Sequence, residues 1–231
     1  MFRDRPMFRD RKEAGERLAA LLVHLKGEDS VVLALPRGGV AIGAAVAQAL
    51  GAPLDIVLVR KIGVPWQPEL ALGAVWEPAP AKAGDAGPEV FIDQRMAAAL
   101  AIPADYVTAE TARQTAELER RRALYCAGRP PVEIAGKTAI VVDDGIATGA
   151  TMRVALRAVR RRGPQRLVLA APVAAAETLA ALVAEADETV CVATPQGLGA
   201  IGFYYDDFHQ LSDDEVIALL AAADRSARLP L

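Results

Sequence analysis

The segment Val141-Val142-Asp143-Asp144-Gly145-Ile146-Ala147-Thr148-Gly149-Ala150-Thr151 sets two carboxylates, two hydroxyls and a turn of small residues after an apolar run. Where such a turn opens a helix, the first amides lack intrahelical partners and carry a partial positive charge, so a phosphate can seat there. Thr148 and Thr151 add hydroxyl donors, and Ala147, Gly149 and Ala150 let the backbone approach phosphate oxygens closely. Asp143 and Asp144 would repel that phosphate. They suit another part of the same ligand, namely ribose hydroxyls, whose protons they accept. A phosphate at one end and a diol at the other describe a ribose 5-phosphate. A plain glycine-softened turn is the alternative, but it has no reason to carry two acids and two threonines.

In this context the segment resembles the signature of type I phosphoribosyltransferases, two acids followed at fixed spacing by Thr-Gly-x-Thr. Neither a P-loop with its lysine nor a dinucleotide motif is present, since Gly38-Gly39-Val40-Ala41-Ile42-Gly43 has the wrong spacing. The resemblance covers roughly Val31 to Val192. It implies an α/β fold, with a mostly parallel twisted sheet flanked by helices and a small hood from the N- and C-terminal segments. It also implies displacement of pyrophosphate from phosphoribosyl pyrophosphate by a nitrogenous acceptor. Magnesium (Mg2+) would be held by the pyrophosphate and ribose rather than directly by protein. The expected phosphoribosyl pyrophosphate-binding residues are Asp143, Asp144, Gly145, Ile146, Ala147, Thr148, Gly149, Ala150 and Thr151, with Arg37, Gly38, Gly39, Arg60 and Lys61 from two other loops.

Two further loops fit that expectation. Pro36-Arg37-Gly38-Gly39 resembles the family's pyrophosphate loop, although Arg37 alone could equally be a surface residue after a strand. Arg60-Lys61-Ile62-Gly63-Val64-Pro65 resembles the opening of the mobile catalytic loop of adenine phosphoribosyltransferases, the branch whose core motifs are closest. The residues that follow do not continue that match. Lys61 could reach pyrophosphate oxygens; a solvated strand end is the alternative. Asp143 and Asp144 would stabilise positive charge developing on the ribose, while Arg37, Lys61 and magnesium would neutralise the leaving group. Ala147 stands where the hypoxanthine-guanine branch carries an acid, as alanine does in the adenine branch. The general base would then come from the mobile loop, with Glu69 as the candidate and an idle exposed glutamate as the alternative. Phe203, Tyr204 and Tyr205, with Phe208, could stack an acceptor or pack the hood. The hood matches no named branch, so the acceptor stays open.

The elements that must position these residues are legible as alternating patterns. Leu18, Leu21, Leu22 and Leu25 have helical spacing within Arg11 to Lys26, and Val31 to Leu35 reads as a buried strand. A helix over about Val40 to Leu50 and a strand over Leu54 to Val59, ending in Arg60-Lys61, complete a βαβ unit. From Ile62 to Pro88 the many glycines and prolines predict an irregular mobile loop around one possible strand, Leu70 to Trp76, and Glu89 to Ile92 could add an edge strand. A helix over Pro103 to Tyr125, then strand Thr138 to Val142, helix Gly149 to Arg162, strand Arg166 to Ala171, helix Ala175 to Ala186 and strand Glu188 to Ala193 continue the alternation. Ser212 and Glu215 form a capping-box pattern for a terminal helix. Residues 1–30 are expected to form an N-terminal extension and hood helix. Residues 31–193 would form the core, with the mobile loop at about 62–88, and 194–231 the C-terminal hood segment and helix.

Composition bounds the remaining classes. A chain of 231 residues, 53% hydrophobic, can bury a substantial core. Its longest apolar runs, such as Leu167 to Ala176, fall well short of the ~20 residues of a membrane span. Charges at Arg3, Asp4 and Arg5 stand where a secretory signal would be apolar, which predicts a cytoplasmic protein. Cys126, Cys191, His24 and His209 are too scattered for a zinc site. A net charge of −3 offers no basic field for nucleic acid, and the Arg120-Arg121-Arg122 and Arg160-Arg161-Arg162 runs read as solvated helix faces. Residues 1–6 are nearly repeated at 7–12, which suggests Met7 as an alternative start and a disordered extension before it. A homodimer is the default assembly. A sensor that binds phosphoribosyl compounds without turnover is the alternative to an enzyme.

Overall fold

The computed structural model describes residues 7–77 and 88–227. Five parallel strands form the central sheet: β1 (Ser30–Ala34), β2 (Leu54–Ile56), β6 (Thr138–Val142), β7 (Arg166–Val173) and β8 (Glu188–Ala193), in the order β2-β1-β6-β7-β8. Strands buried on both faces read as continuous apolar runs, and alternate residues serve opposite cores. Val32, Ala34, Ile140, Val142, Val168 and Ala170 pack with α1 (Arg11–Leu21), α2 (Gly38–Leu50) and α7 (Asp213–Ala227). Val31, Leu33, Ala139, Val141, Leu167 and Leu169 pack against α5 (Ala150–Arg161) and α6 (Ala176–Leu182). Helices therefore cover both faces of the sheet.

The strand order has a consequence for ligand binding. The chain steps outward from β1 to β2 on one side and from β6 through β7 to β8 on the other, so the direction of winding reverses between β1 and β6. In an open parallel sheet, the crevice beyond the carboxyl ends at such a reversal is where ligands bind. The two loops that flank it here are 35–37 after β1, leading into the first turn of α2, and 143–149 after β6.

Over the described residues of about 62–88 the chain expected to be irregular is instead regular, and the possible strands Leu70 to Trp76 and Glu89 to Ile92 are strands. A second, antiparallel sheet joins β3 (Val59–Val64), β4 (Gln67–Trp76) and β5 (Glu89–Ile92). Its glycines mark close backbone approaches rather than looseness. A Cβ on Gly63, at a register shift, would lie 2.6 Å from the Pro68 carbonyl oxygen, and one on Gly73 would lie 2.3 Å from that of Phe91. The second strand of the βαβ unit correspondingly stops at Ile56, and Arg60-Lys61 belongs to β3. This sheet packs on α5, where Ala74 and Trp76 meet Ala158. It also packs on α4 (Ala104–Tyr125), where the Tyr106 hydroxyl donates to the Gly63 carbonyl at 2.8 Å. A short helix, α3 (Gln94–Ala99), was not legible beforehand.

The terminal helix starts as its capping pattern implies. The Ser212 amide donates to Glu215 Oε2 at 2.7 Å, and the Glu215 amide donates to Ser212 Oγ at 3.2 Å. Replacing Ser212 by alanine is expected to lower stability by about 1 kcal/mol, measured by urea unfolding. Among the described residues no helix is long and apolar enough to cross a membrane. Residues 1–6, with the suggested extension and Phe2, lie outside the described residues.

Candidate functional site

Strand β6 delivers Asp143 and Asp144 to the crevice, and the first turn of α2 faces them across it. A Cβ on Gly38 would stand 1.8 Å from Asp144 Oδ2, and one on Gly39 would stand 2.8 Å from the Val142 carbonyl oxygen. The two glycines are thus the condition for the acids to fit against that turn. The Asp144 amide donates to Asp143 Oδ1 at 2.8 Å, so the carboxyls are neighbours in space as well as in sequence. Burial and the Asp144 charge push the Asp143 pKa well above the ordinary carboxylate range. Burial raises that of Asp144 too, against the opposing pull of a cation, Arg11.

Beyond the acids the turn opens to solvent. Ile146 is buried and anchors the loop, its amide donating to the Val173 carbonyl at 2.9 Å. Gly145 is tightly covered, since a Cβ there would meet Ile201 at 2.5 Å. Ala147, Thr148 and Thr151 are exposed, and Ala150 is half-exposed. Gly149 occupies the N-cap of α5 at φ +74°, a left-handed conformation that disfavours side chains, and no side chain caps the helix. The start of α5 thus lacks a side-chain cap, the condition that anion binding at a helix start requires. The Thr178 hydroxyl fixes the turn from behind, donating to the Ala147 carbonyl at 2.6 Å.

The other expected residues fall into two groups. Arg37 sits at the N-cap of α2 beside the acids, after a cis Pro36–Arg37 peptide, and its guanidinium lies 3.9 Å from Asp213 of α7. Asp213 also accepts from the Tyr125 hydroxyl, whose pKa burial and this carboxylate push up to about 12. Arg60 is turned toward α4, donating to Gln114 Oε1 at 2.8 Å, and shares a small cavity with Pro36 and Thr151. It is therefore near the site, although it is not at the end of a central strand. Lys61 lies on β3 opposite Ala74. Glu69 lies on β4, and its side chain is outside the described residues.

The terminal segments meet over Asp144. Tyr205, whose burial and proximity to Asp144 raise its pKa, donates its hydroxyl to the Asp144 backbone carbonyl at 2.6 Å. Its ring lies 5.2 Å from Phe8 and stacks on Phe208 at 4.8 Å. Tyr205 and Phe208 are consumed in packing, whereas Phe203 is 76% exposed and Tyr204 is half-buried. Sequence reasoning missed Arg11, which donates to Asp144 Oδ2 at 2.8 Å. The second copy of the repeated N-terminal segment builds this contact: Phe8 is buried, Asp10 caps α1 and Arg11 opens it. Among the described residues no group of three or more His, Cys, Asp and Glu could hold a metal ion.

Comparison with known proteins gives a consistent picture. The model described as "Phosphoribosyl transferase domain" matches residues 90–207, which include Asp143 through Thr151 and leave the Arg37 loop outside. Proteins of two strains of Mycobacterium tuberculosis, each named "Putative phosphoribosyl transferase", are 43% identical over 219 residues, or 95% of this chain. The match is 47% of each relative, so the chain spans about half the length of these curated relatives. The crystal structure of TT1426 from Thermus thermophilus superposes with a TM-score of 0.79 at 43% identity, covering 93% of this chain and 98% of that one.

Proposed function

The chain belongs to the phosphoribosyl transferase domain family, and from that premise we propose that it transfers a phosphoribosyl group from phosphoribosyl pyrophosphate to a nitrogenous acceptor, releasing pyrophosphate. One observation carries the reading: at the reversal of the parallel sheet, two adjacent half-buried carboxyls and an uncapped helix start share a single turn. A phosphate on the amides and hydroxyls of 147–151 puts the ribose over Asp143 and Asp144. The acids accept from its hydroxyls and oppose the positive charge that grows as the bond to pyrophosphate breaks. The amides of Arg37 and Gly38, with the Arg37 and Lys61 side chains, receive the departing pyrophosphate. Magnesium would be carried by the pyrophosphate and ribose of the ligand and would neutralise the leaving group. Glu69 remains our candidate to take the proton from the acceptor, and exposed Phe203, with Tyr204, our candidate to stack it, while Tyr205 is given to packing. We place the enzyme in the cytoplasm as a homodimer.

The test is magnesium-dependent release of pyrophosphate from phosphoribosyl pyrophosphate, screened across purines, pyrimidines and small amines. Turnover with at least one acceptor is expected. Tight binding of the donor with no turnover against any acceptor would replace the transferase reading with that of a sensor.

Arg37 gives a separate expectation. Arg37→Ala should weaken inorganic pyrophosphate binding about tenfold, the scale of one lost charged hydrogen bond, and leave ribose 5-phosphate binding within about threefold. Calorimetric titration with both ligands checks it. Equal losses would place Arg37 outside the pyrophosphate loop.

A further inference from the structure

Resting on the reading of Asp143 and Asp144 as the ribose-binding pair, we infer that Arg11 is a positioning residue of the ribose site, the fixed counter-ion that holds the Asp144 carboxyl in place. Arg11 is 8% exposed and its guanidinium is engaged in three ways. Nε donates to Asp144 Oδ2 at 2.8 Å, Nη1 donates to the His209 carbonyl oxygen at 2.8 Å, and the guanidinium carbon lies 4.0 Å above the centre of the Phe208 ring. A group stacked, doubly bonded and withdrawn from water is not a loose surface partner that an incoming ligand displaces.

The carboxylate it holds is confined on other sides. Gly38 lies where any side chain would collide with Asp144 Oδ2, and Tyr205 grips the Asp144 backbone carbonyl. Oδ2 is therefore committed to Arg11, which leaves Oδ1 as the oxygen to accept from a ligand hydroxyl. The two acids are unequal: Asp144 has a cation at hydrogen-bond distance, whereas Asp143 is bonded by the amide of its neighbour. Arg11 is 133 residues away in sequence, and the carbonyl that steadies it belongs to the C-terminal segment. The ribose site is thus complete only when both terminal segments are docked.

The fork of the guanidinium sets the test. Gln can replace neither the charge nor both bonds, whereas Lys restores the charge and one bond. Arg11→Gln is expected to weaken ribose 5-phosphate binding about tenfold to a hundredfold and pyrophosphate binding by no more than about threefold. Arg11→Lys should recover ribose 5-phosphate binding to within about tenfold of the parent. In an Asp144→Asn background, Arg11→Gln should cost less than about threefold more, because the two residues act as one unit.

A merely structural staple predicts otherwise: equal losses for both ligands, no rescue by Lys, and a full further loss in the Asp144→Asn background. Any of these overturns the proposal. If Arg11→Gln fails to fold, the Lys variant and its combination with Asp144→Asn still decide it: Lys must bind more weakly than the parent, and the difference must vanish in the combination. A parent that binds no ribose 5-phosphate sinks the ribose reading itself, whereas a binding parent matched by its Arg11 variants sinks only the role of Arg11.

Discussion

Asp143→Asn should bind ribose 5-phosphate about tenfold to a hundredfold more weakly than the parent and yet be harder to unfold above neutral pH. The first effect follows from removing a charged acceptor for a ribose hydroxyl. The second follows from the cost of ionising Asp143, which is half-buried and beside Asp144. Its folded-state pKa is raised, so between the ordinary carboxylate value, about 4, and that raised value the native state holds more protons than the unfolded state. The parent's stability therefore falls as pH rises through this window, and the Asn variant escapes that loss. Asn keeps an oxygen for the Asp144 amide, now 2.8 Å from Asp143 Oδ1, so the turn itself survives. Thermal melts across the pH range should show the advantage of Asp143→Asn growing with pH and then levelling. A variant that binds more weakly and is also less stable at every pH would mean that Asp143 is a structural residue.

Gly38→Ala carries the other large effect. The added methyl would stand 1.8 Å from Asp144 Oδ2 and 2.4 Å from its Cγ, while Arg11 Nε closes the same space at 3.1 Å. Asp144 cannot swing aside without breaking its bond to Arg11, so either the ion pair or the first turn of α2 must shift. Overpacking of this kind costs about 1–3 kcal/mol of stability. Ribose 5-phosphate binding should fall about a hundredfold, on the scale of one disrupted buried charge pair. Gly51→Ala, at a left-handed helix end where an added Cβ meets nothing within 4 Å, is a suitable comparison: it is expected to cost stability through its φ of +71° and to leave binding as it is. Unchanged ribose 5-phosphate binding in Gly38→Ala would show that Asp144 does not need its observed position.

The parts of this fold that were legible are those where one physical constraint dominates. Thr138–Val142 and Glu188–Ala193 were read with their observed ends, because a parallel strand inside a sheet is an apolar run ended by a change of chemistry. Ser212 and Glu215 marked a helix start because the capping box is local. The antiparallel sheet is legible only in part, as the possible strands Leu70 to Trp76 and Glu89 to Ile92 without β3 or the pairing, for the complementary reason. Gly63, Pro65, Pro68 and Gly73 carry the composition of a loop, and only the pairing partners show that these glycines sit where backbones nearly touch. The same limit applies within the site. Asp143 to Thr151 form one continuous turn and announce themselves, whereas Arg11 reaches Asp144 from a helix 133 residues earlier with no spacing to betray it. Tyr205 was noticed as an aromatic candidate, but its hydroxyl bond to the Asp144 backbone shows that it builds the site wall.

The central claim is that the turn after β6 holds the ribose and 5-phosphate of phosphoribosyl pyrophosphate. Calorimetric titration of that ligand into the parent and into the Asp143→Asn, Asp144→Asn double variant, with magnesium present, tests it most directly. The parent should bind, and the double variant should bind at least about a hundredfold more weakly, as expected for two lost charged acceptors. A parent that does not bind, or a double variant that binds as the parent does, would contradict it.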